Sequence, residues 1–98
     1  VCDLKGDALY FSREPISTLS KIKDVFIHKQ VCIIPFRRDF LFDYTYMEPT
    51  PLEITESIDM LRILENGMKI KMVPTNYDSH AVDTFKDLKK VENLMMNL

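Results

Sequence analysis

The stretch TPLEITESIDMLRILENGMKIKMV, residues 50 to 73, decides the fold reading. It holds a helix start, an apolar stripe at helical spacing, a helix stop and then a change of period. Thr50-Pro51-Leu52-Glu53 has the form of a capping box with proline at the first helical position. The Thr50 hydroxyl is placed to accept the Glu53 amide proton, and the Glu53 carboxylate to answer the Thr50 amide. Ile54, Ile58, Leu61 and Leu64 then recur at spacings of four, three and three, which puts them on one helix face. Gly67 takes the left-handed conformation without a Cβ clash, so the helix is expected to end there. Lys69-Ile70-Lys71-Met72-Val73 alternates in polarity, the pattern of a strand.

The same reading extends outward. Toward the N-terminus, Gln30-Val31-Cys32-Ile33-Ile34-Pro35-Phe36 is a near-continuous apolar run, expected as a strand covered on both faces and ended by Pro35. Arg37-Arg38-Asp39 leads into Phe40, Leu41 and Tyr44, spaced as one face of a short helix. Val1-Cys2-Asp3 and residues 8–12 predict a hairpin turning at Leu4-Lys5-Gly6-Asp7. Residues 13–24 read as a loop with room for a short helix. Toward the C-terminus, Thr84 with Asp87 caps a last helix whose stripe is Leu88, Val91, Met95 and Leu98. Strands interleaved with helices predict an α/β fold, and an amphipathic last helix needs a sheet to lie on.

Composition bounds the rest. The 98 residues are 46% apolar and 29% charged, the balance of a globular domain. The formal net charge is −2, with no basic stripe or acidic tail, so nothing points to nucleic acid or a membrane surface. No apolar run approaches the roughly 20 residues that span a bilayer. No signal peptide, internal repeat or linker is visible. Cys2 and Cys32 form no CxxC pair, and Cys32 reads as a small buried hydrophobe, consistent with a reducing cytoplasm. The chain begins at Val1 without an initiator methionine, which suggests a fragment or a processed product.

Asp83 is the most pointed candidate for chemistry. It precedes the last helix in Ala81-Val82-Asp83-Thr84, where a carboxylate suits a hard cation such as magnesium, held by one or two carboxylates plus substrate phosphates. The alternative is support of the helix start through the dipole. Arg13, after Tyr10-Phe11-Ser12, suits either a bidentate grip on a carboxylate or phosphate, or a surface ion pair. Arg37 and Arg38 suit either an anion site or a solvated helix start, and the second is the favoured reading. Asp59, Arg62 and Glu65 lie at helical spacing and read as surface pairs. His28 and His80 have no companion at metal-ligand spacing. No Walker, GxGxxG, HExxH or GxSxG motif occurs.

Several strings together resemble one family. Ala8 to Ile16 resembles the "ALYFSRxPIP" segment of 3-deoxy-manno-octulosonate cytidylyltransferases. Phe36-Arg37-Arg38-Asp39-Phe40-Leu41 is similar to their "YRRxFL", and Pro49 to Glu53 to "PTPLE". Leu61 to Gly67 is similar to "LRxLExG", and Ala81-Val82-Asp83-Thr84 with Asp87-Leu88 and Val91-Glu92 to "GVDTPEDLExVE". The strings follow the family's order and cover essentially the whole chain.

The resemblance implies the C-terminal portion, residues 1–98, of one Rossmann-like α/β nucleotidyltransferase domain. Such enzymes couple CTP to an eight-carbon 3-deoxy sugar acid, giving the CMP-sugar and pyrophosphate for lipopolysaccharide synthesis. The resemblance further implies a cytoplasmic homodimer that uses Mg2+. By this resemblance Asp83 is a magnesium ligand, and Arg13 binds the sugar acid. Asp59 stands where the family has a glutamate in "LEQLR". Gln30, Ile34 and Met60 stand where it often has histidine, tyrosine and glutamine. Each change alters a hydrogen-bonding group, which points to a variant sugar such as an amino-substituted analogue. The family's CTP-binding half, with its basic glycine-containing loop and a second magnesium aspartate, is not among these residues. The 98 residues alone are therefore expected to be inactive. The alternative expectation is a non-catalytic dimerisation module derived from the enzyme.

Overall fold

A computed structural model describes residues 1–16 and 27–98. Most of the expected loop at 13–24 lies outside the described residues. Helix α1 spans Arg38–Tyr46, α2 Pro51–Glu56, α3 Leu61–Glu65 and α4 Phe85–Met96. The β structure among the described residues consists of isolated bridges, Cys2 to Ala8 and Asp7 to Lys71, both antiparallel.

The N-terminal turn forms where expected, and its chemistry is visible. The Asp3 carboxylate accepts from Lys5 N at 2.8 Å and Asp7 N at 2.9 Å. Gly6 takes φ +85, a region open to glycine and costly for residues with a Cβ. Residues 69–73 pair with this turn rather than with a broad sheet. Ala8 N donates to Ile70 O at 2.9 Å, and Met72 N to Gly6 O at 2.9 Å.

The long helix expected over 50–66 is two short helices. Ser57 takes φ 54, ψ 45, the left-handed conformation, and its N–H caps α2 by donating to Glu53 O. The helical template assumes a straight axis, and the break rotates everything after it. Ile54, expected on the core face, is 67% exposed, whereas Met60, Leu61 and Ile63 are buried. They meet Ala8 and Phe11 in one small core, flanked by Tyr10, Phe36, Phe40, Tyr44, Ile58 and Leu64. Of the expected capping box at Thr50, the Glu53 half is clear: its Oε2 accepts from Thr50 N at 3.1 Å. The Thr50 hydroxyl stands in the box arrangement but forms no well-directed bond.

Phe36 stacks on Phe40 at 6.1 Å and tilts against Tyr44 at 5.3 Å, which seats α1. The run before it is not a covered strand. Residues 30–36 have no ladder partner among the described residues, Ile33 is 81% exposed, and Cys32 is exposed rather than buried. Both cysteines are free thiols. At α4 the expected cap is present, with Asp87 N donating to Thr84 Oγ1 at 3.2 Å and Thr84 N to Asp87 Oδ2 at 2.9 Å. Its apolar stripe, however, has no sheet beneath it among the described residues: Leu88, Met95 and Leu98 are exposed. The helix follows from its own cap and period, whereas the burial of its face needs a partner layer.

The accessible surface is 8903 Å². A compact monomer of this mass exposes roughly 5,800 Å². The radius of gyration is 16.3 Å, against about 13 Å for a compact chain of this length.

Candidate functional site

Two places gather the candidate residues. The first is the kink between α2 and α3. Breaking the helix at Ser57 leaves carbonyls without the N–H partners that a continuing helix supplies. Arg13 fills that gap: its Nε donates to Glu56 O at 2.9 Å and its Nη2 to Ser57 O at 2.5 Å. The Glu56 side chain turns back on the same segment. Its Oε2 accepts from Arg13 N at 3.1 Å and its Oε1 from the Tyr10 hydroxyl at 2.9 Å. These bonds hold the Glu56 carboxyl below its ordinary range, the Arg13 amide first and the Tyr10 hydroxyl next. The same bond to Glu56 pushes the Tyr10 phenol up.

Asp59 and Met60 lie in the turn that follows Ser57. Asp59 is exposed. Met60 is 5% exposed and packs in the core.

The second place is the approach to α4. Lys29, Gln30, Val31, Cys32 and Ile33 share an open hollow of about 230 Å³ with Ser79, His80 and Ala81. Gln30 is half-buried in it. Two residues on, Asp83 borders a second hollow of about 260 Å³ with Val82, Thr84, Phe85 and Leu88. Small-molecule sites usually enclose about 300–1,000 Å³, so neither hollow is a complete pocket. No hydrogen bond or ion pair among the described residues joins the two places.

Asp83 and Asp87 divide the work at the helix start. The Asp87 carboxylate is committed to the cap, accepting from Thr84 N and the Thr84 hydroxyl, which lower its pKa. Asp83 donates its own N–H to Asp87 Oδ2 at 3.4 Å, and its carboxylate has no basic or N–H partner among the described residues. A single unpaired carboxylate fits magnesium as one oxygen ligand among several. Among the described residues no group of three or more His, Cys, Asp or Glu side chains could hold a metal.

Arg62 was legible only as a surface residue and is not one. Its Nε and Nη2 donate to Glu53 Oε2 and Oε1 at 2.8 and 2.6 Å, and its Nη1 to Met47 O at 3.2 Å. The guanidinium also lies 5.0 Å from the Tyr44 ring centroid. Glu53 is 6% exposed, and the Arg62 bond, with help from Thr50 N, holds its carboxyl low. The pair is nine residues apart and out of helical phase, so periodicity does not reveal it. Glu65 is also occupied, accepting from Leu52 N at 3.0 Å. Glu56 carried no sequence signal, because its partners are more than forty residues away. Arg37 and Arg38 are exposed, as expected of a solvated helix start.

No protein-family model matches the chain. Curated relatives do. A 3-deoxy-manno-octulosonate cytidylyltransferase of Geobacter metallireducens is 43% identical over 102 residues, covering 93% of this chain and 40% of the relative. One of Fusobacterium nucleatum is 42% identical, covering 95% and 38%. One of Chloroherpeton thalassium is 44% identical, covering 97% and 39%. The chain thus spans about two-fifths of the length of the curated relatives it matches. In sequence, the chain corresponds to the C-terminal portion of the 3-deoxy-manno-octulosonate cytidylyltransferase family.

Proposed function

We propose that these residues form part of a cytidylyltransferase that couples CTP to 3-deoxy-manno-octulosonate or a close sugar-acid analogue. The observation that carries this reading is the similarity over nearly the whole chain to enzymes of that name. The arrangement of Arg13 and Asp83 supports it.

In the reaction the sugar's anomeric hydroxyl attacks the α-phosphorus of CTP. A new P–O bond forms, the bond to the pyrophosphate oxygen breaks, and the hydroxyl proton is lost. Arg13 keeps the outer edge of its guanidinium, two N–H groups side by side, for the sugar acid's carboxylate. Asp59 and Gln30 are polar groups available to sugar hydroxyls, and Asp83 would be one ligand of a magnesium ion. Bound magnesium would offset charge on the phosphates. Met60 packs inward into the core, and Gln30 borders the separate hollow before α4. With Ile34, these are the positions through which a variant sugar would be read.

The Rossmann-like sheet, the dimer and the cytoplasmic setting in lipopolysaccharide synthesis belong to the same proposal. The excess surface and the uncovered stripe of α4 are what a piece of such a domain leaves open. No helix of the described residues is long and apolar enough to cross a membrane. The uncovered stripe also favours a second reading, a module that self-associates without catalysis.

Pyrophosphate release tests both readings. The full-length protein, given CTP, magnesium and 3-deoxy-manno-octulosonate, is expected to turn over, and the 98 residues alone to be silent. A full-length protein inactive across a panel of 3-deoxy sugar acids, with concentration-dependent self-association of the 98 residues, would favour the second.

A further inference from the structure

The kink at Ser57 and the Arg13 side chain are built for each other. In a continuous helix, Glu56 O and Ser57 O would accept from the amides four residues on. The left-handed Ser57 turns them out, and Arg13 donates Nε to one and Nη2 to the other. Both bonds use the inner side of the guanidinium. A guanidinium carries five N–H groups in a rigid fork, so the outer edge, shared by Nη1 and Nη2, is left for a carboxylate.

Glu56 holds this arrangement from the other direction. Its carboxylate does not neutralise Arg13, since no carboxylate among the described residues lies within ion-pair distance of that guanidinium. It binds the Arg13 backbone N–H and the Tyr10 hydroxyl instead. The segment 10–13 is thereby tied at both ends to the residue whose carbonyl orients the guanidinium. The positive charge stays available, while much of the side chain's freedom is removed before any ligand arrives.

We propose that Glu56 is the positioning residue for Arg13, and that the Tyr10–Glu56–Arg13 linkage sets affinity for the sugar acid's carboxylate without touching it. The inference rests on the reading of Arg13 as the residue that grips the sugar acid. The physical basis is preorganisation: ordering the donor fork in advance lowers the cost of binding. The expected signature is a change in sugar affinity with the CTP side undisturbed.

The test is steady-state kinetics of the full-length protein, with KM measured separately for 3-deoxy-manno-octulosonate and CTP. Glu56→Ala is expected to raise KM for the sugar acid about tenfold, a free-energy change on the scale of one or two lost hydrogen bonds. Its KM for CTP is expected to stay within about twofold. Tyr10→Phe removes one bond to the tether and is expected to raise the sugar KM about threefold. It decides the matter if Glu56→Ala fails to fold. Arg13→Lys keeps the charge but loses the fork, and tests the underlying reading. If Arg13→Lys raises the sugar KM while Tyr10→Phe and Glu56→Ala leave it unchanged, the linkage is overturned and the reading of Arg13 stands. If Arg13→Lys leaves the sugar KM unchanged, that reading falls and the inference with it. A drop in kcat with both KM values unchanged reports lost folded protein only, and also overturns the linkage.

Discussion

At the scale of single residues, the strongest interaction is the Glu53–Arg62 pair. Its geometry is bidentate, at 2.6 and 2.8 Å, with side chains 8% and 17% exposed. Removing one partner of a buried pair leaves the other charge uncompensated, which typically costs about 3–5 kcal/mol. Arg62→Ala strands the Glu53 carboxylate and is expected to destabilise the full-length protein, read as a lower urea unfolding midpoint. The pair also sets a pH dependence. The Glu53, Glu56 and Asp87 carboxyls are all held below their ordinary values by the groups bonded to them. A depressed carboxyl contributes stability that is complete above its unfolded pKa and is lost as pH falls through the folded one. Stability should hold down to about pH 4.5 and decline below it. Glu53→Gln should flatten that acid limb in unfolding curves taken from pH 7 to pH 3. An unchanged limb would remove Glu53 as its source. Tyr10 acts at the other end. Its raised phenol contributes stability that is full below its ordinary value near 10 and lost as pH climbs through the folded one.

At the scale of elements, caps were legible and continuity was not. Thr84 with Asp87, and Pro51 after Thr50, are local signals, and α4 and α2 begin where those signals stand. The break at Ser57 has no local signal, since serine is no marker of the left-handed region. It is held from outside, by the Arg13 donors on the carbonyls of Glu56 and Ser57. A non-glycine residue there carries a conformational cost of roughly 1–2 kcal/mol. Ser57→Gly relieves that clash while paying some backbone entropy, and a net gain of about 0.5 kcal/mol in thermal or urea unfolding is expected. A loss would mean that the serine side chain itself supports the turn. The apolar run at 30–36 shows the converse case: its composition suits a covered strand, but a strand needs a ladder partner, and the described residues provide none.

At the scale of the whole molecule, the small core and the large surface have one cause. Ala8, Phe11, Met60, Leu61 and Ile63 close around the α2–α3 kink, and little else among the described residues has a layer to pack against. The two candidate places follow the same division. Arg13, Asp59 and Met60 sit at the packed end, while Gln30 and Asp83 border open hollows. Asp83 offers one carboxylate, so the magnesium site proposed for it would need further oxygen ligands. Asp83→Asn in the full-length protein is expected to slow pyrophosphate release by about 100-fold at fixed magnesium, the scale of losing one charge-stabilising group. Part of the loss should return at higher magnesium. A variant as active as the parent across a magnesium titration would leave Asp83 with the helix-dipole role alone.

By itself the sequence determined the family correspondence, the helix starts at Thr50 and Thr84, the N-terminal turn at Leu4 to Asp7, and the candidates Arg13 and Asp83. Those features are written in residue types at short, regular spacings, and short spacings are what local sterics and capping bonds obey. Only the tertiary structure decided that Ile54 faces out and Met60 in, that Arg62 is a partly buried partner of Glu53, and that Glu56 holds Tyr10 and Arg13. These depend on where the chain turns at Ser57, and that turn is set by hydrogen bonds from a segment more than forty residues away.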